Sequence, residues 1–319
     1  MARNRQPTHH SPSVERVDAL FSKHGQVVAA LAHSLLERAP GERITRVQEF
    51  AARLDASVGT VQAGLSYLSS VGAARLEAHG RLGTYVVELD YPLLWMLAMH
   101  RPLVGALPLP YSRRFAGLAT GLRTQFDRLP LNVELRFMRG AAQRARALAA
   151  HQSDWALVSR HAAAEHPELE IVVDLGPETY MAGHILLLRG ASSTGVCDGM
   201  RIGLDRTSAD HDFIVRAACR DRQIELVEID YAQGLHLVVS GVIDATVWSH
   251  EDVPAEIGDL ALIPLDVQVY PELVALGEAV IVVDRGNRAA AAVIRAAISI
   301  AELCAIQQDV IGRRRLPAY

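Results

Sequence analysis

Cysteine is scarce in this chain. Cys197, Cys219 and Cys304 stand far apart in 319 residues with no Cys-x-x-Cys, which argues against a disulfide framework or a cysteine-rich zinc site. Lysine is scarcer still: Lys23 is the only one, so there is no lysine nucleophile beyond it. No Gly-x-Ser-x-Gly elbow occurs, and no uninterrupted apolar run approaches the ~20 residues of a membrane span. The opening MARNRQPTHHSPSVERVD lacks the apolar core of a signal peptide, so residues 1–22 are expected to be a flexible cytoplasmic tail. No cofactor and no metal is expected. His161, Glu165 and His166 do not have His-Glu-x-x-His spacing, and Asp210-His211-Asp212 reads as capping at a helix start.

What is present is a globular composition, 50% apolar and 21% charged, in a chain long enough for two or three domains. The net charge of −4 is uneven. Residues 1–90 hold ten Arg/Lys against nine Asp/Glu, and the rest hold 22 against 27. That asymmetry points weakly to an anionic partner near the N-terminus.

Val27, Val28, Leu31, Leu35 and Leu36 recur at helical spacing until Pro40-Gly41 stops them. Thr45-Arg46-Val47-Gln48 has the form of a capping box and opens a short helix expected to bury Val47, Ala51 and Leu54. Ser57 is placed to cap a third helix with an inward face of Val58, Val61, Leu65 and Leu68. Thr60, Gln62 and Ser66 then point outward. Gly72 closes that helix, and residues 73–77 and 82–89 read as two strands joined at the Gly80 turn. Helix, helix, turn, helix, hairpin is the order of a winged helix-turn-helix.

Glycines that cradle a nucleotide phosphate follow a strand and precede a helix, whereas Gly80 and Gly83 precede a strand. A bare hairpin turn is one reading of them. The other puts Arg81 at a wing tip, where a guanidinium enters a minor groove or holds a phosphate. On that reading Ser57 and the amides behind it meet backbone phosphate, and Thr60 and Gln62 face the major groove. The candidate DNA contacts are Arg46, Ser57, Thr60, Gln62, Ser66, Gly80 and Arg81. The stretch ASVGTVQAGLSYLSSVGAARLEAHGRLGTYV, residues 56–86, resembles the GntR-type winged-helix regulators, with Thr60-Val61 in the recognition helix and Gly83-Thr84-Tyr85-Val86 ending the wing. Val58 and Gln62 stand where that family usually has arginines, which implies a different base readout.

Beyond the head, residues 91–103 form a short apolar segment, read as a linker helix packed on a neighbour or on a dimer partner. Strand-like and helical stretches then alternate: 103–107, 113–126, 132–137, 141–149 and 154–158. The series recurs about ninety residues later at 200–204, 211–221, 224–229, 232–239 and 244–248. The third strands match even in letters, DWALVS at 154–159 and DATVWS at 244–249. A repeated β-α-β-α-β unit predicts two parallel α/β lobes with helices on both faces. The expected fold is α/β: an N-terminal winged helix-turn-helix at 23–90, a linker helix at 91–102, and a two-lobed α/β periplasmic-binding-protein-like (type 2) domain at 103–319. Lobe 1 would span about 103–189 and 285–319, lobe 2 about 190–284, with hinges at 188–190 and 284–286.

Head and body together resemble the YhfZ-type subgroup of transcriptional regulators, the body resting chiefly on GALPLPYSRRFAGLATGL at 105–122. The resemblance implies a protein that binds double-stranded operator DNA as a homodimer and responds to a small molecule. Ligands in α/β lobes sit beyond the carboxyl ends of the strands. Those ends carry Pro110, Tyr111 and Ser112; Arg139 and Gly140; Ser159 and Arg160; Arg206, Thr207 and Ser208; Asp230 and Tyr231; and Trp248 and Ser249. Ser112 and Ser208 sit at helix starts that favour anions. Arg139, Arg160 and Arg206 suit a carboxylate- or phosphate-bearing effector. Each arginine could equally be a solvated surface charge. A substrate-binding module and an enzyme on the same scaffold remain the alternatives. Dimer surfaces are expected at Leu94, Trp95 and Met99 and along a long helix at 289–311.

Overall fold

The computed structural model describes residues 22–253 and 258–319, so the expected tail, apart from Ser22, lies outside the described residues. The chain divides between Arg101 and Pro102 into two compact units.

The first unit starts with α1 (Lys23–Leu36), capped by the Ser22 hydroxyl, which accepts from the Gly25 amide. Its apolar positions bury Val27, Val28, Leu31, Ala32, Leu35 and Leu36, each leucine worth about 2 kcal/mol on leaving water. α2 (Val47–Arg53) buries Phe50 and Ala51. The capping box does not form. Arg46 is the N-cap residue, and its side chain makes no capping bond. α3 (Val58–Ser70) buries Val61, Gly64 and Leu68. Val58, expected inside, is 40% exposed, because a residue at the first position of a helix projects past the partner that holds the next turn. β1 (Ala74–Ala78) and β2 (Thr84–Leu89) pair antiparallel across a short turn at Gly80–Leu82. Residues 41–44 add a third edge to this wing: the Gly41 and Ile44 amides donate to the Val86 and Thr84 carbonyls at 2.8 and 2.9 Å.

α4 (Tyr91–Met99), the expected linker, packs against α1 within this unit. Leu94 and Trp95 are fully buried there, so neither belongs to an exposed dimer surface. Pro92 at its start and Asp90 as cap fix the helix, whose other face keeps Met96 exposed and Met99 half-buried.

The second unit holds two five-stranded sheets. The first has the order β4 (Val133–Phe137), β3 (Leu103–Leu107), β5 (Trp155–Ser159), β12 (Ala279–Asp284), β6 (Leu169–Asp174). The second has the order β9 (Glu225–Glu228), β8 (Arg201–Leu204), β10 (Ala245–Ser249), β7 (His184–Arg189), β11 (Leu260–Leu265). The sheets are pseudo-equivalent strand by strand, and each takes its fourth strand from the other half of the chain. The helices include α5 (Arg113–Phe126) and α6 (Ala141–Ala149) on the first half, and α8 (Ala209–Ala218) and α9 (Gly234–Val239) on the second; α7 (Arg160–Ala164) and α10 (Val274–Gly277) are single turns. The matching sequence pieces have matching roles. Asp154 accepts the Val104 amide at 2.9 Å where β3 starts, and Asp244 accepts the Arg201 amide at 2.9 Å where β8 starts.

Three expectations need correction. The sheets are mixed rather than parallel, since β12 runs antiparallel to β5 and β6, and β7 antiparallel to β10 and β11. A strand returning from the other lobe enters from the far end, and hydrophobic content alone carries no direction. The chain crosses between lobes at 175–183 and 266–278, not at 188–190 and 284–286, because β7 lies wholly in the second sheet and β12 wholly in the first. The expected long C-terminal helix is two helices, α11 (Arg288–Ala297) and α12 (Ile300–Ile311), bent by 66°. Ser299 caps the second by accepting from the Glu302 amide, and α12 lies along α5. Among the described residues no single helix is long and apolar enough to cross a membrane.

Candidate functional site

In the first unit the helix-turn-helix exposes one face of α3. Ser57 caps it by accepting the Thr60 amide at 3.0 Å, and its Oγ lies 2.9 Å from the Thr60 hydroxyl. Thr60 is therefore half-buried and partly committed to the cap, whereas Gln62 and Ser66 are exposed. Arg46 is exposed at the start of α2, and Gly80 and Arg81 are exposed at the wing tip. One cation escaped sequence reasoning. Arg43, on the third edge of the wing, lays its guanidinium against Gly83, where a Cβ would sit 2.4 Å from Nε. Gly83 has φ of +103°, so both backbone conformation and close approach require glycine there. Nothing local in the sequence pairs positions 43 and 83.

In the second unit a cleft with about 810 Å³ of non-protein space, counted out into open solvent, lies at the carboxyl ends of the strands. Of the expected strand-end residues, Tyr111, Arg139, Gly140, Ser208, Asp230 and Tyr231 line it. Trp248 stands behind it, stacked on the lining residue Tyr231 at 4.6 Å and 10°. The other expected residues lie elsewhere. Ser112 is buried as the cap of α5, accepting from the Phe115 amide. Pro110 is half-buried beside it and does not line the cleft. Arg160 is held by Glu278 and Asp174 of its own lobe. Arg206 is exposed, with Glu228 at 3.9 Å. The three arginines do not converge, because a residue following a strand end turns either toward the cleft or away, according to the loop.

Contacts between the lobes bridge the cleft. Arg139, after β4, donates to Asp230 at 2.7 Å and to both oxygens of Asp205 at 3.2 Å, both after strands of the second sheet. Ser159 caps α7 and donates to Asp210 of α8 at 2.7 Å. Gly140, at φ of +74°, brings its backbone so near the Thr207 carbonyl that a Cβ would stand 2.3 Å away. Thr207 itself is exposed and donates from its amide and hydroxyl to Asp205 at 2.9 and 2.6 Å. Arg114 reaches Glu251 of the other lobe at 2.8 Å.

Burial opposes charge on Asp205, but the Thr207 hydroxyl, the Tyr231 amide and Arg139 together outweigh it and hold its carboxyl below the usual range. At Asp210 burial wins instead and pushes the carboxyl up, despite the Ser159 hydroxyl and the charges of His161 and Arg144. His211 accepts the Asp205 amide at Nδ1, 3.0 Å, so Nε2 carries the proton and donates to the Val247 carbonyl at 3.1 Å. Burial favours this neutral ring. Burial also drives His184 down to about 4, with His211 adding to the effect, and Tyr180 up to about 12. Arg144, 2% exposed, was missed because an arginine inside a helix reads as a surface charge. Among the described residues no three His, Cys, Asp or Glu side chains are placed to hold a metal. The Asp210-His211 pair, expected to serve only at a helix start, is buried in the cleft wall, while Ser208 supplies the cap.

A winged helix-turn-helix followed by a two-lobed α/β domain of the periplasmic-binding-protein kind, with a cleft between the lobes, defines the class of this protein. Residues 90–319 match the YhfZ C-terminal domain and residues 39–86 match a helix-turn-helix domain. The chain belongs to the YhfZ family. It is similar to the YhfZ protein of Escherichia coli strain K12, 35% identical over 305 residues, covering 94% of this chain and 98% of that one. It is also similar to the crystal structure of YhfZ from Shigella flexneri, 31% identical with a TM-score of 0.59, covering 72% of this chain and 98% of that one.

Proposed function

We propose that this protein is a cytoplasmic transcriptional regulator that binds double-stranded operator DNA as a homodimer, through a GntR-like head, and senses a small charged molecule in its second unit. The observation that carries this reading is the exposed face of α3, with Gln62 and Ser66, joined in one chain to a ligand-sized cleft. Arg46, Ser57, Thr60, Gly80 and Arg81 would complete the DNA contacts, with Arg43 added from the structure. One winged helix makes few base contacts, and a two-fold pair reading half-sites about 34 Å apart supplies the rest. The head is residues 23–101 and the body 102–319, with the two crossings between lobes as its hinges.

An enzyme on this scaffold is the weaker reading. Both nitrogens of His211 are committed to backbone partners, so that ring is no general base. The deciding experiment is a mobility-shift titration with the DNA just upstream of the protein's own reading frame. Retarded, sequence-selective complexes are expected, and binding no tighter than to random DNA of equal length would sink the reading.

A further inference from the structure

The charges of the cleft do not cancel internally, and their remainder describes a ligand. Asp205 and Asp230 are occupied by Arg139. Arg144 is not occupied in the same way. Its terminal nitrogens donate to two neutral groups, the Met138 carbonyl at 2.9 Å and the Tyr180 hydroxyl at 3.0 Å. Its Nε is buried with no partner, and among the described residues no carboxylate forms an ion pair with it. Burying a guanidinium without a counter-charge is costly, so a group kept this way at a cleft wall calls for an anion from outside. Arg144 sits in α6, whose N-terminus, at Gly140 and Ala141, lines the same cleft and has no side-chain cap.

On the opposite lobe, buried Asp210 accepts the Ser159 hydroxyl and, among the described residues, forms no ion pair. Arg144 and Asp210 are thus a guanidinium and a carboxyl without an ion-pair partner among the described residues, facing the same space from different lobes and close enough for the charge on Arg144 to act on Asp210. Resting on the effector-domain reading above, we propose that the cleft binds a small amino-carboxylate zwitterion, its carboxylate on Arg144 and the first amides of α6, its ammonium on Asp210. Phosphate or a dicarboxylate would set its second negative group against the aspartates that line the cleft. A simple amine would leave Arg144 without a partner. Phe115 and Tyr180, 4.9 Å apart at their ring centroids, wall the space left for the ligand's side chain.

The test is calorimetric titration and thermal shift on the full chain with the standard L-amino acids, inorganic phosphate and succinate. Any amino acid that binds is then compared with its decarboxylated amine and its deaminated carboxylate. The expected result is binding of at least one amino acid, with both truncated analogues about ten- to a hundred-fold weaker, as the loss of a charge-assisted contact implies. Arg144→Gln and Asp210→Asn should each lose the ligand-induced shift. If Arg144→Gln fails to fold, the analogue comparison on the natural chain decides alone. Binding of succinate or phosphate in place of every amino acid would overturn the zwitterion and leave the effector reading standing, as would an amino acid whose affinity survives Arg144→Gln in a folded variant. Failure of all these probes overturns the zwitterion too; failure of a broad metabolite panel as well would count against the effector reading itself.

Discussion

Arg139 of one lobe donates to Asp230 of the other at 2.7 Å, and the same guanidinium reaches both oxygens of Asp205. Nearly all of Asp205 is buried, whereas Arg139 is 37% exposed. The pair therefore contributes modestly to stability and more to holding the lobes together.

Arg139→Ala should open the cleft. The stability cost should be about 1 kcal/mol, since the pair is partly hydrated and Asp205 keeps the Thr207 and Tyr231 donors. Small-angle scattering should show a larger radius of gyration than for the natural chain. An unchanged radius would mean that the Ser159–Asp210 contact and the packing of Gly140 on Thr207 suffice to keep the lobes shut.

Stability should fall with acid through His184. Its folded pKa of about 4 lies below the ordinary 6.5, so the unfolded chain binds the proton more readily. The contribution is complete above pH 6.5 and is lost as pH falls toward 4, a loss on the order of 3 kcal/mol. Buried His211 acts in the same direction. Urea unfolding at pH 7.5 and 4.5 should show a smaller difference for His184→Gln than for the natural chain. Equal differences would place the acid sensitivity elsewhere.

Arg81 and Gln62 should separate affinity from choice. Arg81→Ala should weaken binding to all DNA and reduce the salt slope by about one. Gln62→Ala should cost roughly 1–3 kcal/mol on the operator and little on random DNA. Fluorescence anisotropy at several salt concentrations distinguishes the two patterns. An Arg81→Ala chain with natural affinity and slope would reduce the wing tip to a hairpin.

Gly83→Ala should damage DNA binding through Arg43. A methyl group there meets the guanidinium and also strains a backbone at φ of +103°, so the wing must shift. Arg43→Ala should reproduce the loss of affinity without the backbone strain. Natural affinity in Arg43→Ala would remove that residue from the interface.

Ser57→Ala removes the α3 cap and should cost about 1 kcal/mol, with Ser57→Gly costing only a few tenths. Thermal unfolding measured on the two variants checks the order.

Much of this molecule is local and was therefore legible. The spacing of Val27, Leu31 and Leu35, the Ser57 and Ser208 caps, and the repeated DWALVS and DATVWS strands each depend on neighbours within a few residues, and periodicity reports such neighbours directly. Strand direction and membership did not follow. HILLLR and AVIVVD are apolar throughout, and a strand buried on both faces has no alternation to say which sheet it joins or which way it runs. The site was harder still. Arg160, Arg206 and Arg144 are the same residue type, yet tertiary packing ties one to Glu278 and Asp174, leaves one in solvent, and buries the third with no ion pair among the described residues. Local sequence settled most of the helices, the Ser57 and Ser208 caps and the repeat, but not the break at Ser299 or the cap at Arg46. Only the folding of two distant halves against each other decided which charges cancel and which face the cleft, because electrostatic pairing depends on separation in space, and residues 139 and 230 share none along the chain.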